Sequence, residues 1–311
     1  YVKRYSPTFS YLDVHGCREP WRWPDMRAKS FMAGKFRAEF LGNAALMQRN
    51  REIFGGPVFT EGGCNWIYAG FYDVIYGYFG HGLNYRELDD IVDFSLLKIK
   101  PHAIQAGMGD YAMYFRGNPP ADEDEALRRF VTSTLSYGNA AWLDGNARPR
   151  IYFLTNAVQR NYLGVNPISI EYSDGTKLMP ASEAFHTDAL GKSFIKVTYA
   201  NGLTLFANLN KAGESWTVEN RTIPSPGFFA RKADGTVEAY SLDNDFVRSP
   251  EYIYGKVRKS PLALDGFALE KGGAAIRPDG DRGFLIYPEG GFTNLAVTPA
   301  KLGLTGRSAI R

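Results

Sequence analysis

The stretch Tyr11-Leu12-Asp13-Val14-His15-Gly16, taken with Pro57-Val58-Phe59-Thr60-Glu61-Gly62-Gly63, decides how the first half of this chain is read. Each is a short apolar run that reaches a carboxylate and then glycine. Between them lies a loop. It is followed, from Lys35 to Phe54, by a segment of helical period in which Phe36, Phe40, Ala44 and Met47 form a stripe widened by Leu41 and Ala45. Gly55-Gly56-Pro57 ends that segment. Strand, helix, strand is the unit that joins parallel strands, so the pattern sets Asp13 and Glu61 at the same end of neighbouring strands. Two carboxylates across a cleft are the equipment for cleaving a glycosidic bond. Either one alone is equally a strand-end turn residue satisfied by backbone N–H groups. Their matched positions, and the aromatic residues Trp21, Trp23, Trp66 and Tyr68 around them, favour the catalytic reading.

Working outward, residues 8–14 read as a strand and the Trp- and Pro-rich segment after it as a long loop. Residues 62–85, rich in Gly and Tyr, suit a loop lining a cleft. Ile91–Ile99 is a further strand candidate. Amphipathic helices are expected over Glu125–Tyr137, with Leu127, Phe130, Val131, Thr134 and Leu135 on one face, and over Arg150–Leu163, with Pro149 in its first turn and Gly164 beyond it. After about residue 165 the pattern changes to short alternating strands. Phe194–Tyr199 and Leu203–Asn208 flank Asn201-Gly202, a strong hairpin signal.

The expected architecture is therefore α/β followed by all-β. Residues 1–164 read as the later part of a (β/α)8 (TIM) barrel, and residues 165–311 as an antiparallel β-sandwich. Three or four strands are too few to close such a barrel, so its N-terminal part is expected to be missing from this chain. A small open α/β sheet is the alternative. No Gly-rich phosphate loop follows a strand, which argues against a nucleotide-binding version.

Composition narrows the function classes. Hydrophobic residues make up 44% and charged residues 22% of 311 residues, an ordinary globular balance. A net charge of +3 with scattered Lys and Arg gives no nucleic-acid footprint. No apolar run is long enough to span a membrane. The aromatic content of 14% suits thick β-layers and also sugar binding. There is no His-Glu-x-x-His stretch, Cys cluster or EF-hand loop, so no metal and no cofactor is expected. Cys17 and Cys64, the only cysteines, follow the two carboxylates and would come near each other at the cleft rim, as free thiols or as a pair.

For a retaining reaction the nucleophile must stay ionised, and His15 and Arg18 follow Asp13 closely enough to help. The acid must keep its proton, which the surroundings of Glu61, Trp66 among them, allow. Asp13 is thus assigned as nucleophile and Glu61 as acid/base. The reverse assignment, and Asp93 as the second carboxylate, stay open. Trp21, Lys98 and His102 are read as further sugar contacts, with a solvated strand end as the rival account of the last two.

The run Tyr-Leu-Asp-Val-His at 11–15, the helix, and Pro-Val-Phe-Thr-Glu-Gly at 57–62 resemble the fourth and fifth barrel strands of endo-α-N-acetylgalactosaminidase-type glycoside hydrolases and their uncharacterised relatives. Residues 197–208 resemble the β-sandwich that follows the barrel in such enzymes. The resemblance implies an Asp nucleophile at Asp13, a Glu acid/base at Glu61, a glycan substrate with α-linked galactose or N-acetylgalactosamine, and a secreted or periplasmic location. The long loop with Cys-Arg-Glu-Pro-Trp-Arg-Trp, and the Gly-Gly-Cys-Asn after Glu61, depart from the family pattern. A non-catalytic carbohydrate-binding or adhesion module on a decayed barrel is the competing reading.

Overall fold

The computed structural model describes residues 2–16, 18–61, 67–76, 92, 104–106, 111–115, 118–141, 143, 149–264, 266–280 and 283–302. The first sheet is parallel and four-stranded, in the order β1 (Ser10–Leu12), β2 (Val58–Glu61), β3 (Val74–Tyr76), β4 (Ile104–Ala106). The helix Phe36–Phe54 crosses from β1 to β2 and stops at Gly55, whose positive φ of 61° is the left-handed cap. Asn43, Ala44 and Met47 are its buried residues. Met47 packs in a small core with Val58, Tyr68 and Tyr72, Phe40 stacks on Tyr68 at 5.5 Å, and Asn43 Nδ2 donates to the Tyr68 hydroxyl at 3.0 Å. The expected stripe is too wide, since Phe36, Leu41 and Ala45 are exposed. Val74–Tyr76, expected as loop, is a strand: three residues are too few to show a period.

The strands from residue 167 onward are β5 (Pro167–Ser173), β6 (Leu178–Pro180), β7 (Phe194–Tyr199), β8 (Leu203–Asn208), β9 (Trp216–Val218), β10 (Arg221–Ile223), β11 (Gly227–Lys232), β12 (Glu238–Ser241), β13 (Asp245–Arg248), β14 (Ile253–Lys256), β15 (Leu262–Leu264), β16 (Phe267–Leu269), β17 (Lys271–Pro278), β18 (Phe284–Thr293) and β19 (Ala296–Val297). Ten of them form one antiparallel sheet, ordered β18-β17-β14-β13-β12-β11-β8-β7-β5-β6. The β7–β8 hairpin closes at Asn201-Gly202 as expected, with Gly202 at φ 83°.

This arrangement overturns the expected fold class. The chain is not a (β/α)8 barrel segment followed by a sandwich. Its dominant element is a single large antiparallel sheet, and among the described residues β1 and β4 are the outer strands of the four-stranded parallel sheet. The physical reason lies in the side-chain pattern. A strand covered on both faces reads the same whether a second sheet or a layer of helices does the covering. On β8, Leu203, Leu205 and Ala207 join one core and Phe206 the other. On β11, Phe228 and Ala230 face one way and Phe229 the other.

The first of these cores is shared with the helices Glu123–Ser136 and Pro149–Tyr162, through Phe130, Leu135, Leu154 and Val158 among others. The second lies beneath the β9–β10 hairpin and the small β15-β16-β19 sheet, with Trp216 stacked on Phe194 at 5.4 Å. The change in sequence pattern near 164 thus marks where the antiparallel strands begin. The helices before it and the strands after it share a core.

Helix and sheet also meet through charge. The Asp245 side chain is completely buried. Its Oδ2 accepts from Arg150 Nε at 2.6 Å, and its Oδ1 from the Ser241 hydroxyl at 2.7 Å. Arg150 Nη2 also lies 2.6 Å from that carboxylate, though off the hydrogen-bond angle. Asp124, in the first turn of the Glu123–Ser136 helix, takes bonds from Arg128, Arg150 and Arg258.

Candidate active site at the ends of the parallel strands

β1 and β2 run in parallel register, with Ser10 opposite Val58, Tyr11 opposite Phe59 and Leu12 opposite Thr60. One step further along the two strands come Asp13 and Glu61, and Glu61 is the last residue of β2, opposite Tyr76 of β3. Both carboxylate-bearing residues therefore stand at the C-terminal ends of adjacent parallel strands, where open α/β sheets bind their ligands.

The chain turns sharply after Asp13. The His15 amide donates to the Asp13 carbonyl at 2.6 Å, closing a three-residue turn with Val14 at its centre. Val14 has φ 54°, a left-handed conformation that a β-branched side chain disfavours. The Val14 amide donates to Asp13 Oδ1 at 3.0 Å, and His15 Nδ1 lies 2.7 Å from the Asp13 carbonyl, which assigns the ring proton to Nδ1.

Thr60 ties this turn to the sheet. Its hydroxyl is buried between the two strands, donates to the Leu12 carbonyl at 2.8 Å and accepts from the Gly16 amide at 2.9 Å. Residue 16 has to be glycine here, because a Cβ would stand 2.3 Å from that same oxygen. Neither Thr60 nor Gly16 belongs to a motif that would mark it as part of the site. The one signal was the threonine immediately before Glu61.

Of the residues assigned from sequence, Asp13 is exposed and His15 half-buried on this turn. Arg18 was expected to support the Asp13 charge. Its guanidinium instead lies over the Trp23 ring, 5.8 Å from the centroid, and no ion pair joins it to Asp13 among the described residues. Trp21 and Trp23 are 53% and 61% exposed on the loop that follows. Trp66, Lys98, His102, Asp93, Cys17 and Cys64 lie outside the described residues. At the opposite end of the strands, Asp73 accepts from Arg51 and from the Val58 amide, each at 2.9 Å, which closes that end with structural bonds.

Among the described residues no group of three or more His, Cys, Asp or Glu side chains could hold a metal ion. Among them, too, no helix is long and apolar enough to cross a membrane. No family model, no curated protein and no solved structure matches this chain. The resemblance to endo-α-N-acetylgalactosaminidase-type enzymes therefore rests on the sequence runs alone, at 11–15, 57–62 and 197–208.

Proposed function

We propose that this chain hydrolyses an O-glycosidic bond with retention of configuration, with Asp13 as nucleophile and Glu61 as acid/base. The observation that carries the reading is the parallel register of β1 and β2, whose last pair, Leu12 and Thr60, immediately precedes Asp13 and Glu61 in the chain. In the first step Glu61 protonates the glycosidic oxygen while the Asp13 carboxylate attacks the anomeric carbon. In the second, Glu61 takes a proton from water, which attacks the glycosyl ester and releases the sugar. Thr60, Gly16 and the strained Val14 act through position: they fix where the Asp13 backbone leaves the sheet. The exposed rings of Trp21 and Trp23 offer flat apolar faces to a sugar. The resemblance points to an α-linked galactose or N-acetylgalactosamine as the substrate.

One observation favours a second reading, a carbohydrate-binding module without chemistry. Asp13 Oδ1 accepts from its own neighbour's amide, as a turn residue does. Aryl α-galactosides and α-N-acetylgalactosaminides separate the two. Asp13→Asn should abolish hydrolysis. Glu61→Gln should lose most on poor leaving groups, and azide should rescue it to give a glycosyl azide of retained configuration, read by proton NMR. Sugar binding by the wild-type chain with no turnover of any glycoside would favour the binding module. An inverted azide product would refute the assigned roles.

A further inference from the structure

The groove between the short helix Ala189–Lys192 and the loop 210–214 has a volume of roughly 650 Å³ and is lined wholly by residues of the antiparallel part of the chain, with neither Asp13 nor Glu61 among them. Phe185, Asp188, Lys192, Asn210, Lys211 and Glu214 line it. Its wall is held by buried amides. Asn210 Nδ2 donates to the Lys192 carbonyl at 3.1 Å, and Asn210 Oδ1 accepts from the Glu214 amide at 3.0 Å. Asn208 Nδ2 donates to the Glu214 and Ile223 carbonyls, both at 2.8 Å. The cleft is therefore preformed, as small-molecule sites generally are.

The chemistry of the lining selects among ligands. Two lysines and two carboxylates stand in the lining, so its charge is balanced, and Lys192 is bridged to Glu214 at 2.5 Å. A phosphate or nucleic-acid site would carry unbalanced positive charge. A balanced set of donors and acceptors suits hydroxyl groups, each of which both donates and accepts. Phe185, 51% exposed, adds one flat apolar face at the rim. We propose that this groove binds a neutral carbohydrate, with Phe185 packing against the sugar ring and the charged side chains sharing its hydroxyls. The site uses neither Asp13 nor Glu61 and stands whether or not the glycosidase reading does.

The test is a glycan array carrying neutral and sulfated oligosaccharides, followed by calorimetric titration with the best neutral glycan and, separately, with inorganic phosphate. Wild type and Asp13→Asn should bind the neutral glycan equally. Phe185→Ala should weaken it at least tenfold. Ala212→Trp, which fills the groove from an exposed position and removes no polar group, should abolish it, with melting temperatures unchanged in both variants. Four outcomes would overturn the proposal: retention of sulfated glycans or phosphate alone, retention of no neutral glycan, affinity indifferent to both groove variants, or loss of binding in Asp13→Asn.

Discussion

The Gly16 amide donates to Thr60 Oγ1 at 2.9 Å across the two strands, and there is no room between them for even a methyl group on residue 16. The same hydroxyl donates to the Leu12 carbonyl, so one side chain satisfies two backbone groups of the turn that carries Asp13. Thr60→Val keeps the shape and leaves both groups unpaired in a buried setting, which should cost about 1–3 kcal/mol. Gly16→Ala should force Thr60 aside and lower stability by a similar amount. Urea unfolding of the two variants and the double variant checks this. If both residues act through one contact, the double variant should lose less than the sum of the singles.

The Arg150–Asp245 pair makes a second prediction. Asp245 is completely buried, so Asp245→Asn leaves the Arg150 charge without its main partner and should cost about 3–5 kcal/mol. Replacing both, as Arg150→Met with Asp245→Leu, removes the stranded charge and should cost less than Asp245→Asn alone. Denaturant midpoints of the three chains decide the order. A double variant weaker than the single would show that the remaining arginines depend on Asp245 more than Arg150 does.

Stability should fall at both ends of the pH scale, for different reasons. Burial pushes the Asp124 carboxyl up, but Arg150 and Arg258 outweigh it and hold the group at about 2, below its ordinary value. A depressed carboxylate stabilises the fold above its unfolded pKa, near 4, and that contribution is lost as pH falls towards 2. Discounted for its partial exposure, the contribution is about 1 kcal/mol. Asp124→Asn should therefore flatten the melting-temperature profile over that window. At the other end, burial pushes the Tyr240 hydroxyl up to about 12 and raises Tyr162, Tyr199, Tyr252 and Tyr254 as well. A tyrosine raised in this way favours the fold while neutral, so its contribution is present below about pH 10 and is lost as pH climbs through 12. The share of the phenolate absorbance that comes from these five buried tyrosines should appear together with unfolding in that range, not before it.

The local elements were legible where the signal was local. Asn201-Gly202 placed the β7–β8 hairpin, Pro149 and Gly164 bracketed a helix, and the matched runs ending at Asp13 and Glu61 read as parallel strands. The global arrangement was not legible, because Leu205 and Phe206 carry the same apolar pattern whether helices or a second sheet cover them. Contacts made far along the chain were hidden too. Arg150 meets Asp245 across 95 positions, and Gly16 meets Thr60 across 44, with no motif to link them. Within the candidate site the strand-end positions of Asp13 and Glu61 could be read from sequence, but the contacts that fix the turn at Asp13 could not. A threonine beside a glutamate is too common to mark itself.

That turn is also strained, and the strain can be tested. Val14 sits at φ 54° directly after Asp13, a conformation that costs a β-branched residue about 1–2 kcal/mol and that asparagine tolerates far better. Val14 is exposed, so Val14→Asn gives up little buried surface. The substitution should raise stability by about 0.5–1 kcal/mol, seen as a higher denaturant midpoint at unchanged slope. If the strained turn holds Asp13 where a nucleophile is needed, relaxing it should lower kcat on an aryl glycoside several-fold and leave KM nearly unchanged, because the loss falls on the transition state. A variant that gains stability with no change in kcat would show that the turn is strained by the close approach of Gly16 to Thr60 alone, with no bearing on Asp13. A variant that loses stability would mean that the Val14 side chain contributes more packing than its conformation costs.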